Sequence, residues 1–279
     1  MGDCMLQSKT LTVHEKNGVV YYTFPSFDAV PYVRHGFSTR LGGVSTGIYE
    51  SMNLSYTRGD DAAAVRENFA RFCDAIGVQS ENAVVSAQEH HVAIYNVTAA
   101  DRGRGVTRER GYTDIDGLIT DEPNVPLITQ YADCVPLLFV DPVRRVVGTS
   151  HAGWRGTAAQ IGAVTVERMC KDYGCRREDI LAGVAPSIGP CCFEVDAPVI
   201  EAFEKLAVYD DGCFTPVNDE KVKINLWEVN RRILVSAGVK PEHITVTDLC
   251  TKCHPDVFWS HRVTGGARGS LAACIAITE

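Results

Sequence analysis

Three short segments hold the side chains with most chemistry to offer: Gln88-Glu89-His90-His91, Tyr131-Ala132-Asp133-Cys134 and His151-Ala152-Gly153-Trp154-Arg155-Gly156. Imidazole and thiolate are the ligands that zinc and other borderline or soft cations take. Cys134 and His151 would equally serve as a nucleophile and its base in a cysteine hydrolase, provided no metal holds the thiol. Each piece also has a plainer explanation. A histidine at a strand end commonly makes a structural hydrogen bond, and a cysteine ahead of Val-Pro-Leu-Leu-Phe packs as a small hydrophobe. The segments are far apart in sequence, unlike the close pairs of a zinc finger, so only a fold that converges them makes a site.

Other reactive residues carry two readings each. Arg40 lies in Ser38-Thr39-Arg40-Leu41-Gly42-Gly43, where small residues let the backbone approach a ligand and a guanidinium could take phosphate bidentately; a surface arginine in a turn is the alternative. Arg155 lies between Gly153 and Gly156, which favour a tight entry from strand to helix with amides facing an anion, or it pairs with a buried carboxylate. Asp133 could orient a ligand histidine, accept a proton from substrate, or make a structural hydrogen bond. Cys191-Cys192 follows Ile188-Gly189-Pro190 and is expected to pack in a turn. Cys250-Thr251-Lys252-Cys253-His254 matches both the haem-attachment and the redox-dithiol patterns. Covalent haem accompanies export, for which no signal is visible, and a redox dithiol belongs early in a βαβ unit, which leaves a second metal site as a minor alternative. Residues 102–111, Arg-Gly-Arg-Gly-Val-Thr-Arg-Glu-Arg-Gly, are expected to form a mobile, solvated basic loop rather than the alternative, a phosphate clamp, since no aromatic residue interleaves the arginines.

The elements that must position these groups mix two periodicities. Asp61 caps a helix expected over 62–76, where Val65, Phe69, Phe72 and Ile76 recur at helical spacing before Gly77. Similar patterns predict helices over 157–173 and 225–237. Apolar or alternating runs predict strands over 19–24, 84–86, 117–120, 137–140, 146–150, 180–184, 244–247 and 272–277. Gln88-Glu89-His90 and His151 each follow such a strand, where binding groups tend to be displayed.

Composition bounds the rest. Thirty-five acidic against 27 basic residues give a net charge of −8, which argues against a nucleic-acid partner, and 45% hydrophobic residues describe a chain with a real core. No repeat, low-complexity tract or linker divides the 279 residues, so one domain is expected. No apolar stretch is long enough for a membrane helix and the N-terminus lacks the apolar centre of a signal peptide, so the chain is expected to be cytoplasmic, with its 11 cysteines, Cys4 among them, reduced.

The same residues carry a likeness that spans almost the whole sequence. His35-Gly36-Phe37-Ser38-Thr39-Arg40 with Gly42-Gly43-Val44-Ser45, Gly59-Asp60-Asp61, the Gln-x-His of Gln88 and His90, Ala132-Asp133-Cys134, His151-Ala152-Gly153-Trp154-Arg155-Gly156, Ser187 to Val195, and Gly266-Ala267-Arg268 together resemble the YfiH family. Its members are described both as multicopper polyphenol oxidases, or laccase-domain proteins, and as purine nucleoside phosphorylases. The resemblance implies a single α+β domain with mixed β-sheets flanked by helices. It also implies one zinc ion on His90, Cys134 and His151, the Gln-x-His spacing selecting His90 over His91.

The implied reaction is phosphorolysis of adenosine, inosine, guanosine or methylthioadenosine, with adenosine deamination as a second activity, so purine nucleoside and phosphate are the expected partners. Three protein ligands leave an open position, which suits a catalytic zinc that lowers the pKa of water towards ~7. Arg40 and Arg155 are the expected phosphate or substrate residues, with Asp133 beside them. A laccase holds several coppers on His-x-His pairs; the eight histidines here are scattered and form none. Copper would occupy the zinc site only adventitiously in vitro, with any polyphenol oxidase activity incidental. Oligomeric state is not legible in the sequence.

Overall fold

The structure is a computed structural model that describes residues 5–279; Cys4 lies outside them. Its strands are β1 (Thr12–Lys16), β2 (Val19–Thr23), β3 (Val33–Ser38), β4 (Val84–Val85), β5 (Ile94–Asn96), β6 (Gly117–Thr120), β7 (Leu127–Tyr131), β8 (Val135–Asp141), β9 (Val146–Ala152), β10 (Leu181–Val184), β11 (Glu194–Val195), β12 (Phe214–Pro216), β13 (Val222–Ile224), β14 (Ile244–Val246) and β15 (Leu271–Ile277). The helices are α1 (Pro25–Asp28), α2 (Ala62–Ile76), α3 (Trp154–Ala158), α4 (Ile161–Tyr173), α5 (Ala197–Phe203), α6 (Leu226–Ser236) and α7 (His261–Thr264). None is long and apolar enough to cross a membrane.

Two six-stranded mixed sheets, ordered β1-β2-β3-β15-β7-β4 and β14-β10-β8-β9-β6-β5, lie face to face, and a three-stranded sheet, β11-β13-β12, sits to one side. The layering follows from side-chain alternation. Along β15, Leu271, Ala273, Ile275 and Ile277 point into the core between the sheets, while Ala272 and Cys274 meet α2 residues Val65, Phe69, Phe72 and Ile76. Along β8, Leu138 and Val140 face the same inter-sheet core, while Val135, Leu137 and Phe139 meet α4 and α6 through Ile161, Val166, Val229 and Ile233. Both faces of the central strands are therefore covered, which is why they read as unbroken apolar runs.

The α2 boundaries match the sequence expectation, with Asp61 accepting from the Ala64 N–H at 2.8 Å and Gly77 closing the helix at φ 81°. The helix expected over 157–173 is instead two, because Gln160 turns left-handed at φ 59° between α3 and α4. The strand expected to end at Ser150 continues to Ala152, so His151 is a strand residue paired with Pro136. β1, β3, β5, β7, β11, β12 and β13 were not anticipated.

The basic segment is only partly solvated: Thr107, Arg108, Glu109 and Gly111 are exposed, and the rest is buried or half-buried. Arg104 Nε lies 3.1 Å from Asp101 and its guanidinium faces the Tyr112 ring, Arg102 donates to Pro123 O at 2.9 Å, Val106 is buried, and Arg110 reaches Gln130 Oε1 at 3.4 Å. A backbone carbonyl, the Asp101 carboxylate and the Gln130 amide oxygen accept from these arginines.

Candidate metal centre and substrate cleft

The register of β8 on β9 builds half of the site. Val135 pairs with Ala152 and Pro136 with His151, so one further step sets Cys134 across from Gly153. A Cβ on Gly153 would lie 2.9 Å from His90 Cδ2 and 3.2 Å from Cys134 Sγ, so glycine is what leaves the space between thiol and imidazole. His90 arrives from the segment after β4 with φ 67°. Gln88 anchors that segment: its amide donates to Gln130 O at 2.7 Å and accepts from Gln130 N–H at 2.7 Å.

One buried carboxylate then locks both histidines. Asp116, fully buried at the mouth of β6, accepts the backbone N–H groups of Glu89 at 2.9 Å, His90 at 3.1 Å and His91 at 3.1 Å. It also holds His151 Nδ1 at 2.7 Å. With the carboxylate ionised, Nδ1 is the nitrogen that donates to it, which leaves Nε2 to face the cleft. Burial alone would raise the Asp116 carboxyl, but these bonds, His151's foremost, hold it below its usual range.

His90, Cys134 and His151 thus bring one ligand atom each within 4.8 Å of one another, with Cys134 Sγ 4.0 Å from His90 Nε2. The two rings meet edge to face, centroids 4.8 Å apart. Burial opposes charge on both members of the pair, yet the neighbouring imidazoles hold the Cys134 thiol down to about 6, and Cys134 with Asp116 raises His151 to about 9. A thiolate among two imidazoles is a donor set that fits zinc. His91 turns outward onto Asp114, 2.6 Å away, which places His90 and not its neighbour at the site.

Two lobes of one cleft meet at His90 and Cys134, with His151 in the wall of the smaller. The smaller, about 170 Å³, is polar, walled by Ser55, Arg58, Gln88, Arg110, Gln130 and Arg268. The larger, about 350 Å³, has an apolar wall of Trp154, Ile188, Phe193 and Leu226, with Arg58 and Arg268 at the junction. Arg268 is only 6% exposed, and its Nε has no hydrogen-bond partner among the described residues. Burial and the adjacent Arg58 lower it to about 10.

The residues expected to bind phosphate lie elsewhere. Arg40 donates to Glu50 O through Nε at 3.2 Å and NH2 at 2.7 Å, and to Pro255 O through NH1 at 2.9 Å, with its guanidinium over the Trp259 ring. It lines neither lobe. Arg155 is exposed and stacked on Trp154, also outside both linings. Asp133 borders the larger lobe but accepts from Thr251 Oγ1 at 2.6 Å, Ser260 Oγ at 3.0 Å and Arg262 N–H at 2.7 Å; orienting the histidine falls to Asp116. Asp116 and Arg58 were not singled out in the sequence, and Arg110 only as part of the basic 102–111 segment. Asp116 follows Asp114 by two residues, and nothing in the spacing tells the two apart. Cys191 and Cys192 do more than pack in a turn: both approach Cys253.

The comparisons with known proteins agree with this fold. A family model described as multi-copper polyphenol oxidoreductase laccase matches residues 34–278. A Bacillus subtilis protein named purine nucleoside phosphorylase YlmD is 37% identical over 245 residues, 88% of each chain. A protein from an unknown prokaryotic organism, named adenosine deaminase RL5, is 34% identical over 82% of this chain and 88% of its own. The crystal structure of the Bacillus licheniformis hypothetical protein YfiH superposes with a TM-score of 0.89 at 34% identity, covering 95% of this chain and 99% of that one. With that span of matching sequence and structure, the chain belongs to the YfiH-like, multi-copper polyphenol oxidoreductase laccase family.

Proposed function

We propose that the chain is a zinc-dependent purine nucleoside phosphorylase with adenosine deamination as a side activity. The observation that carries this reading is the meeting of an apolar lobe and an arginine-lined polar lobe at His90 and Cys134, two members of the His90–Cys134–His151 trio. A purine nucleoside has an apolar, stackable face, and phosphate needs fixed cations; the two lobes separate these demands. The names of the YlmD and RL5 relatives support the two activities.

In phosphorolysis a phosphate oxygen bonds to the anomeric carbon as the bond to the base nitrogen breaks, giving a sugar 1-phosphate and free base. Trp154 and Phe193 hold the base against the apolar wall. Arg58, Arg110 and Arg268 take the phosphate role that the sequence suggested for Arg40 and Arg155. Arg268 enters with an unpaired Nε, so an arriving anion gains a charge-assisted bond without breaking a protein one. Asp116 holds the Nδ1 side of His151, so Nε2 is the nitrogen that faces the cleft and would release its proton when a metal binds. Zinc held by His90, Cys134 and His151 supplies Lewis-acid chemistry to substrate or water. Copper oxidase chemistry fits the donors poorly. Among the described residues two side-chain groups could hold an ion, this trio and one made entirely of cysteines, whereas a blue centre with a trinuclear cluster needs many histidines.

The Cys134–His151–Asp116 alignment also favours one second reading, a thiol hydrolase, which requires the thiol to be metal-free. Product analysis with adenosine, with and without phosphate, beside Cys134→Ala separates these outcomes. Phosphate-dependent adenine release by the wild type alone supports phosphorolysis, and inosine formed without phosphate supports deamination. No product from any purine nucleoside, together with a metal-free, alkylatable Cys134, transfers the site to the hydrolase reading.

A further inference from the structure

A second group of metal-ligating side chains lies outside the cleft. Cys191 and Cys192, in the turn after β10, and Cys250 and Cys253, beyond β14, place four Sγ atoms within 4.8 Å of one another. Cys253 Sγ is 3.4 Å from that of Cys191 and 3.5 Å from that of Cys192. A tetrahedral zinc with ~2.3 Å bonds holds its sulfurs about 3.8 Å apart. The spacing is therefore that of one ion, whereas an iron–sulfur cluster spreads its cysteines more widely.

The backbone around the sulfurs fits a metal thiolate as well. Cys250-Thr251-Lys252-Cys253 forms a turn, and Gly189 N–H donates to Cys250 Sγ from the facing turn at 3.1 Å. A Cβ on Gly189 would sit 3.1 Å from Cys250 Cβ and 2.8 Å from the Trp227 ring, so the close approach of the two turns depends on that glycine. Thr251 N–H donates to Ser187 O at 3.0 Å, joining the turns again. Cys191 and Cys253 are exposed, which gives an ion access from solvent.

We propose that Cys191, Cys192, Cys250 and Cys253 form a mononuclear tetrathiolate site for one soft divalent cation, zinc by its donor set, separate from the trio in the cleft. Four protein ligands close the coordination sphere, so the ion is structural. It fastens the 187–193 turn, which supplies Ile188 and Phe193 to the apolar lobe, to the turn whose Thr251 hydroxyl donates to Asp133 at 2.6 Å, one residue before Cys134. The ion thereby braces one wall of the cleft without touching substrate.

The test is elemental analysis of the full-length wild type, Cys191→Ser, Cys253→Ser and His151→Ala purified under reducing conditions, with cobalt(II) loading of each. Each serine variant is expected to lose one zinc per chain relative to wild type, whether or not the trio holds its own ion. His151→Ala is expected to keep that zinc. Cobalt is expected to show strong sulfur-to-metal charge-transfer absorption that survives His151→Ala and collapses in Cys253→Ser. An unchanged zinc count in both serine variants overturns the site, as does a zinc-free wild type whose non-reducing mass shows a Cys191–Cys253 or Cys192–Cys253 disulfide. Should the serine variants fail to fold, His151→Ala loaded with cobalt decides alone: absorption of one thiolate or none overturns the proposal.

Discussion

At the scale of single residues, Asp116 does the most with least notice. Its two oxygens collect three backbone amides and one imidazole, so Asp116→Asn removes a charge-matched acceptor and leaves His151 without a fixed tautomer. Metal affinity is expected to fall about 10- to 100-fold, as for other lost carboxylate partners of ligand histidines, measured by competition with a chelator. Affinity equal to wild type would remove Asp116 from the site. The arginines divide by what satisfies them. Arg268→Gln should raise the KM for phosphate while metal content stays at the wild-type level. Arg40→Ala should leave that KM unchanged and cost about 2 kcal/mol of stability, since charged donors to three carbonyl contacts are lost; a phosphate KM raised only by Arg40→Ala would reverse the assignment. Residue type and local motif made the ligands legible as candidates, but not the arginines. Which guanidinium is left with a free N–H depends on carbonyls distant in sequence, as Pro255 is from Arg40.

At the scale of elements, legibility followed how strongly each segment announced its own ends. α2 carries a capping aspartate, an apolar stripe and a left-handed glycine, and its boundaries were readable. β3, Val33–Ser38, contains Arg34, His35 and Gly36 and shows no alternation, because His35 is buried for a particular reason. Its Nε2 accepts the Phe24 N–H at 2.7 Å, joining β3 to the start of α1, and its ring stacks on Phe24. Burial lowers its pKa from 6.5 to about 3, with His14 adding to the effect. Below the unfolded value near 6.5 the unfolded chain binds a proton that the folded chain refuses, so this contribution to stability is present above pH 6.5 and is lost progressively as pH falls towards 3. Between pH 7 and pH 5 the loss is about 2 kcal/mol from this group. Denaturant unfolding of wild type and His35→Gln across that range should show the steeper acid loss in the wild type; parallel curves would mean that His35 charges in the folded state.

At the scale of the molecule, two face-to-face sheets covered by helices turn three remote segments into one centre. The apolar runs of β8 and β15 are those of strands covered on both faces, and the β8–β9 hairpin register would have predicted Cys134 opposite Gly153. What the sequence could not supply was the convergence of the segment after β4 on that hairpin, because it depends on parallel pairing of β4 with β7 and of β5 with β6, contacts between elements distant in the chain. The acidic net charge likewise hides a local cationic pocket of Arg58, Arg110 and Arg268. The central claim is that this convergence makes a zinc-dependent phosphorylase. It is tested most directly by following sugar 1-phosphate formation from inosine and phosphate while zinc is returned to chelator-stripped wild type and His151→Ala, with metal counted in the same samples. Turnover that rises with zinc in the wild type and stays absent in His151→Ala is the predicted result; phosphate-dependent turnover by the metal-free protein would contradict it.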